Sequence, residues 1–363
     1  MNQTALAGLA AAACFLIGTG TAGAQPGSPP NYDFAWHTIG APGNRPASQT
    51  EAPFFFPPFS TPALVVGAVN YEYRLSRTEV DVTQWFEFVQ AYAPYWQGSR
   101  LDSAFTSQWI VPTSLDPGQP PGYQILPGAA HLPADVGWRL AARYCNWLEN
   151  DKRLDQAAFE NGVYDTSTFF TNPDGTITDQ PTHHPGARFW IPTVDEWIKG
   201  MYYDPHRYGP GQEGYWLYPD GGNEPLISGY PENGGETSAG LRLGDPGARW
   251  LDVGSYPDVQ SPWGLLDGSG GEDEWLENIV NPFERGQKGS QQFGSDSNIV
   301  DRLDWLASGF PQVGGTGFRV ASCVPSPCSI VVVGFGYLLT HRRTRCSRQV
   351  APNAPECATD RGF

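Results

Sequence analysis

The sequence predicts an α+β domain with little regular secondary structure. Two features of composition and one of patterning lead there. The 363 residues include 43 Gly and 34 Pro, more turn formers than a helix bundle or a regular sheet tolerates. They also include 13 Trp, 16 Tyr and 19 Phe, an aromatic load large enough to fill a core. Some segments repeat apolar residues at helical spacing, whereas others alternate aromatic and charged residues as strands do. The length allows one large domain or two ordinary ones, and no internal repeat or second domain is evident.

The first element is an irregular opening segment over 25–62, rich in Pro, Gly and aromatics. Gly67–Leu75 alternates aromatic and charged residues and reads as a strand. A helix follows: Asp81 with Gln84 three residues on forms a cap, and Trp85, Phe86 and Val89 supply its apolar face. A looser, Pro-rich insertion spans 97–132. The segment Pro133–Trp138 begins a second helix that runs through Leu148, with Leu140, Ala141, Tyr144, Cys145 and Leu148 as one apolar stripe. Glu160–Tyr164 and the turn at Asp174-Gly175 suggest a hairpin-like excursion. Then Thr193 and Glu196 form a capping box just after Pro192, which keeps the chain extended up to the helix start. A Gly-rich loop follows Pro225.

Both ends read as processing segments. Residues 5–20 are apolar and precede Ala22-Gly23-Ala24, the pattern of a secretory signal peptide over 1–24. Near the other end, Val324-Pro325-Ser326-Pro327 leads into the apolar run Ile330–Leu339 and then Arg342, Arg343 and Arg345. That run falls short of the roughly 20 residues needed to span a bilayer. The order of the three parts over 323–345 resembles the PEP-CTERM sorting tail of exported bacterial proteins, with Ser326 where that family has Glu. A plain C-terminal membrane anchor is the other reading, and 346–363 form a tail. Either way the expectation is an exported protein of the cell envelope or exterior, touching membrane through its C-terminal segment.

Net charge is −16, with no basic cluster in the globular part. Nucleic-acid binding is excluded on that ground, because phosphate contacts need positive charge. Six cysteines stand at 14, 145, 323, 328, 346 and 357. Cys14 leaves with the signal peptide and the last four lie at or beyond the end of the domain. Cys145 is left as a lone buried thiol, and no zinc spacing or disulfide framework exists. No nucleophile elbow, P-loop or dinucleotide fingerprint is present.

The segment Arg188-Phe189-Trp190-Ile191-Pro192-Thr193-Val194-Asp195-Glu196-Trp197 resembles the R-x-P-[ST]-x-x-E-W signature of the sulfatase-modifying-factor domain, the family of the formylglycine-generating enzyme. Six more blocks resemble that family in order: Trp36–Asn44, Ser76–Phe86, Pro133–Leu148, Asp252–Pro257, Ser261–Trp275 and Gly317–Ser322. The resemblance implies a sulfatase-modifying-factor domain over 63–322 with a C-type-lectin-like fold.

It also says where chemistry belongs. The formylglycine-generating enzyme carries a copper-binding cysteine pair shortly after an "RGGS" strand, chemistry that needs soft sulfur ligands. The matching block here is Arg285-Gly286-Gln287-Lys288-Gly289-Ser290 followed by Gln291–Ser297, and it holds no cysteine. Other relatives bind iron through histidines of an added helical domain, for which this chain has no room. Its histidines are scattered, and the adjacent His183 and His184 read as solvated loop residues. Copper and iron are therefore not expected, and no catalytic residue is assigned. Calcium is the ion the resemblance implies, held by the segment that keeps Asp267 and Glu274. Gly271 replaces the usual Asn there and Asp273 the first Trp. Glu272 and Asp273 either compensate as ligands or are merely solvated. The sixth position from Asp267 is Glu272 and not Gly, so an EF-hand is excluded.

Tyr202, Tyr203, Tyr208, Tyr215, Trp216 and Tyr218 either form a binding face for sugar or peptide or fill the core, and the latter is favoured. The expectation is a non-catalytic binding or structural module whose ligand is a protein or carbohydrate at the cell surface. The alternative is a metal-dependent oxidoreductase acting on a protein or thiol.

Overall fold

The computed structural model describes residues 29–325 apart from 117, 295 and 296. The signal peptide and nearly all of the sorting-like tail lie outside the described residues. The fold is mixed helix and sheet of low regular content, an α+β domain. Among the described residues no helix is long and apolar enough to cross a membrane.

Local caps set two of the three main helices. Helix α1 (Val82–Tyr92) starts where the Asp81 carboxylate accepts the Gln84 N–H at 2.8 Å and the Gln84 side chain accepts the Asp81 N–H at 3.1 Å. Two otherwise unsatisfied donors are thereby paired. Its buried face is Val82, Trp85, Phe88, Val89 and Tyr92. Phe88, one turn from Trp85, takes the place predicted for Phe86, which is only partly buried. After the short α2 (Ser103–Thr106), α3 (Trp138–Glu149) buries its whole predicted stripe. No side chain caps it, and Pro311 supplies the carbonyl that accepts the Arg139 N–H at 3.1 Å. Past α4 (Ala157–Glu160), α5 (Val194–Tyr202) opens on the reciprocal Thr193–Glu196 box. A last short helix, α6, spans Ser297–Val300.

The main sheet is antiparallel, with strands β1 (Trp36–Ile39), β2 (Tyr73–Ser76), β11 (Ala321–Cys323) and β5 (Phe189–Trp190) in the order β1-β2-β11-β5. Ala321 stands opposite both Leu75 and Trp190, so segments far apart in sequence share one register. Two hairpins lie outside it, β3 (Ile110–Pro112) with β4 (Tyr123–Ile125), and β6 (Tyr203–Asp204) with β7 (Gly214–Tyr215). A three-stranded sheet is built from β8 (Glu274–Asn281), β9 (Glu284–Lys288) and β10 (Ala307–Gly309), with β9 central.

Three expectations are corrected. The strand expected over 67–75 is confined to β2, and Gly67–Glu72 is mostly loop. Gly67 has φ +91°, and a Cβ there would sit 2.7 Å from the Tyr215 ring, so this position takes only glycine. The opening segment is not all irregular, because it donates β1 to the main sheet. The insertion at 97–132 folds into α2 and the β3–β4 hairpin. The excursion around Asp174-Gly175 is hairpin-like but reduced to one Thr171–Ile177 bridge.

The core is aromatic. Trp85, Trp138, Trp147, Trp197 and Trp275 are almost fully buried, and Trp85, Tyr144 and Phe318 meet edge to face or tilted. Each such ring contributes on the order of 2–3 kcal/mol through burial. Within this core lies Arg319, fully buried. It donates to both oxygens of Glu274 at 2.5 and 2.6 Å and to the carbonyls of Ser76, Arg77 and Leu266. Trp197 donates its indole N–H to the same carboxylate at 2.9 Å.

Removing one partner of such a pair strands the other charge. Arg319→Met is expected to cost about 3–5 kcal/mol, measured as a drop in the urea midpoint. Glu274→Leu combined with Arg319→Met is expected to cost less than Arg319→Met alone.

Candidate functional site

Asp267 and Glu274, the two residues proposed as calcium ligands, are brought to one node, with Glu274 buried and Asp267 partly buried. Both carboxylates are already engaged there. Glu274 is held by Arg319 and Trp197, and both Asp267 oxygens accept the Gly254 N–H, at 2.8 and 3.0 Å. The Arg319 guanidinium is the cation that takes both Glu274 oxygens. The pair does not fit calcium. Nor are Glu272 and Asp273 solvated: Glu272 is buried and Asp273 is partly buried and bonded to the Gln291 amide. Among the described residues no group of three or more His, Cys, Asp and Glu side chains is disposed to hold a metal ion.

Glu79 completes the node. It is 1% exposed, its Oε1 accepts the Glu272 N–H at 2.8 Å, and its Oε2 has no protein partner. Gly271 has φ +71°, and a Cβ there would lie 2.6 Å from that Oε2. The Glu79 carboxyl thus fills the space that the family's Asn side chain would need. Burial pushes Glu79 well above the usual carboxylate range, and the negative charges of Asp267 and Glu274 add to the effect. Asp267 is pushed up to about 6 by burial, against the Gly254 N–H bonds and Arg319.

A second locus follows β9, where the resemblance places the catalytic thiols. Arg285 is buried with its guanidinium 3.5 Å from the Trp138 ring, and it donates to the carbonyls of Glu277 and Gln180. Lys288 is buried and donates to three carbonyls, Arg302 and Trp305 at 2.7 Å and Leu303 at 3.3 Å. Burial lowers its ammonium to about 7, opposed by Asp301 and Asp304. Beyond it a cavity of about 230 Å³ is lined by Asp273, Gly289, Ser290, Gln291 and Trp305, among others. Ser290 donates its hydroxyl to Asp301 at 3.0 Å and accepts the Gly270 N–H at 2.9 Å. Cys145 lies fully buried on α3, its thiol pushed well up by burial, and neither it nor Cys323 lines this cavity.

The larger cavity, about 430 Å³, opens at the start of α5 between the Gly67–Glu72 loop and β8. Three segments bring polar groups to it. Asp195 accepts the Gly67 N–H at 2.7 Å through Oδ1, and its Oδ2 has no partner among the described residues. Asn278, on β8, accepts the Val194 N–H at 2.7 Å through Oδ1, and its amide NH₂ has no partner among the described residues. Asn70 is exposed and its side chain makes no bond among the described residues. Tyr71 forms a wall: the residue is 44% exposed, and its hydroxyl donates to Glu196 at 2.9 Å. Asn44 also lines the cavity, but Gly67, Val69 and Tyr215 consume its amide. Burial raises the Asp195 carboxyl, and the Gly67 N–H opposes it.

His183 lies close to this region and corrects the reading of it as solvated. Its side chain is 21% exposed, stacked 4.8 Å from Trp190, with Nδ1 2.8 Å from Glu277. Burial pulls its pKa down, but Glu277 overcomes this and raises it. His184 is exposed, as expected. Of the tyrosine run, Tyr202, Tyr203, Tyr215 and Tyr218 are buried, Trp216 is partly buried, and only Tyr208 is well exposed. The run fills core. The open groups at Asn70, Asp195 and Asn278 carry no sequence signal of their own. Tyr71 sat inside an alternation that also fits a strand.

Fold and site together define an α+β domain with a polar cavity at a helix start and a second, smaller one beside a buried lysine. No family model matches the chain, and no curated protein does. Among solved structures it is similar to Treponema denticola variable protein 1, at 14% identity and TM-score 0.45, over 80% of this chain and 95% of that one. It is also similar to CarF, at 17% identity and TM-score 0.43, over 81% and 99%. PvdO from Pseudomonas aeruginosa follows at 15% identity and TM-score 0.38, over 80% and 92%.

The acids give a pH signature. Asp267, Asp273 and Asp135 are each raised from 3.8 to about 6, chiefly by burial. A raised folded pKa contributes stability that is full below the unfolded value and lost as pH rises through about 6. His183, also raised, acts in the same sense. Glu51, lowered to about 2 by Arg45 and Ser48 against burial, acts oppositely and loses its contribution as pH falls below about 4.5. Urea midpoints are expected to rise from pH 8 to pH 5 and to fall again below pH 4. Asp267→Asn should flatten the rise.

Proposed function

We propose that the chain is an exported sulfatase-modifying-factor-like protein of C-type-lectin-like fold that binds a ligand in the cell envelope or at its surface. Seven ordered sequence blocks support the family reading. One observation carries the functional one. The cavity at the start of α5 gathers a carboxylate, two amides and a tyrosine ring with bonding capacity to spare, and no thiol or imidazole lines it. These are recognition groups.

The locus after β9 supports the same reading. A copper-dependent oxidase needs accessible thiolates, and the corresponding segment supplies Ser290 and Gln291 instead, facing Asp273 across the cavity lining. The Ser290 hydroxyl is committed to Asp301 and Gly270, with no imidazole to activate it. Export rests on the leader at 1–24, and envelope retention on the apolar segment after Val324.

The mature protein, purified and analysed for metals and for oxygen uptake with thiols, is expected to hold no stoichiometric copper or iron and to consume no oxygen. Stoichiometric copper or iron with thiol-dependent uptake would overturn the binding reading. Truncation after Val324 is expected to move the protein from the membrane fraction to the soluble exported fraction.

A further inference from the structure

We infer that the cavity at the start of α5 is a subsite for an uncharged saccharide, recognised by Asp195, Asn278 and Asn70 and packed against Tyr71. The inference rests on the binding-module reading and names the ligand class of the same site.

Begin with the groups left unpaired. Asp195 Oδ2 can only accept, the Asn278 NH₂ can only donate, and the Asn70 amide can do both. A sugar hydroxyl donates and accepts at once. Neighbouring hydroxyls of one ring can therefore satisfy carboxylate and amide together. An apolar ligand would bury these groups without partners, at a cost of about 1–3 kcal/mol each.

Anions are disfavoured. No Lys or Arg lines the cavity, and Asp195 repels negative charge. The donors that make a helix start attractive to anions are largely spent. The Val194 N–H goes to Asn278, the Thr193 N–H to the Glu196 carboxylate, and the Glu196 N–H to the Thr193 hydroxyl. A multivalent cation would find one free carboxylate oxygen and no second acid lining the cavity.

Tyr71 supplies the apolar contact. Its hydroxyl is anchored on Glu196, which Trp190 and Thr193 hold in turn, and its ring leans edge-on against Tyr73 at 6.0 Å. The ring is thus fixed and presents an electron-rich face to the C–H side of a pyranose. Asp195 and Asn278 are likewise held through their other oxygens, so little side-chain ordering is left for the ligand to impose. A volume of about 430 Å³ lies in the range of roughly 300–1,000 Å³ typical of small-molecule sites.

The test is binding of the mature exported protein to an array of neutral and charged oligosaccharides and to peptides, followed by titration calorimetry with and without EDTA. Binding to neutral saccharides is expected, unchanged by EDTA. Asp195→Ala, Asn278→Ala and Tyr71→Ala should each weaken it at least tenfold, while Tyr71→Phe retains the ring and most of the affinity. Trp305→Ala, in the smaller cavity, should leave it unchanged, and circular dichroism checks that each variant is folded. No binding to any neutral saccharide would overturn the inference, as would loss of binding in EDTA. Capture of peptides alone would overturn it while leaving the binding-module reading intact. Copper- or iron-dependent oxygen uptake would instead overturn that underlying reading.

Discussion

The ion pair between Arg319 and Glu274 fixes the geometry on which the rest of the domain depends. A guanidinium has five N–H donors in a rigid fork. Here the fork reaches the end of β2 through Ser76 and Arg77, the 266–267 turn through Leu266, and the start of β8 through Glu274. Trp197 adds α5 to the same carboxylate. Four segments, the farthest 243 residues from Arg319 in sequence, therefore meet at one ion pair. Buried ion pairs repay their desolvation only when the remaining donors and acceptors are satisfied. Arg319 meets that condition through backbone carbonyls, so its position dictates where those backbones run.

The larger cavity follows from this node. Glu274 begins β8, and four residues on Asn278 reaches back to the Val194 N–H. Glu277, between them, holds His183 and Tyr164 through one carboxylate oxygen. One strand thus anchors the core at its start and shapes the cavity wall a few residues later. The same economy leaves the carboxylates of the predicted calcium pair already engaged. An arginine is the cation at that node, and Glu79 fills the space above Gly271 where a ligating side chain would stand.

What could be read from the sequence was what local physics determines. The capping boxes at Asp81–Gln84 and Thr193–Glu196 and the α3 stripe depend on residues three or four apart, and all three are found as expected. The strand over 67–75 was misread because Tyr71 and Tyr73 alternate as strand residues would, whereas Gly67 and the Tyr215 ring force a loop. Tyr215 is far away in sequence, so no local pattern could reveal it. Buried charge was equally hidden. Lys288 and Arg285 look like surface residues until the carbonyls that receive them are known. The polar cavity was invisible for a related reason. Its open groups come from three segments, and what distinguishes them is the lack of a partner, which only the assembled fold defines.

The two cavities separate what the sequence resemblance had joined. Beside the smaller one, Lys288 holds the 302–305 loop through three carbonyls and Ser290 is tied to Asp301. Redox chemistry by thiolates would need polarizable, accessible sulfur at that point, and the groups there are hard oxygen and amide donors already spent on structure. At the start of α5 the balance is reversed. Structural bonds occupy one end of Asp195 and of Asn278, and the other end is left free. A side chain held at one atom and open at another is preorganised, and preorganisation turns a few hydrogen bonds into useful affinity. These are the grounds on which the proposed recognition function is placed at the helix start.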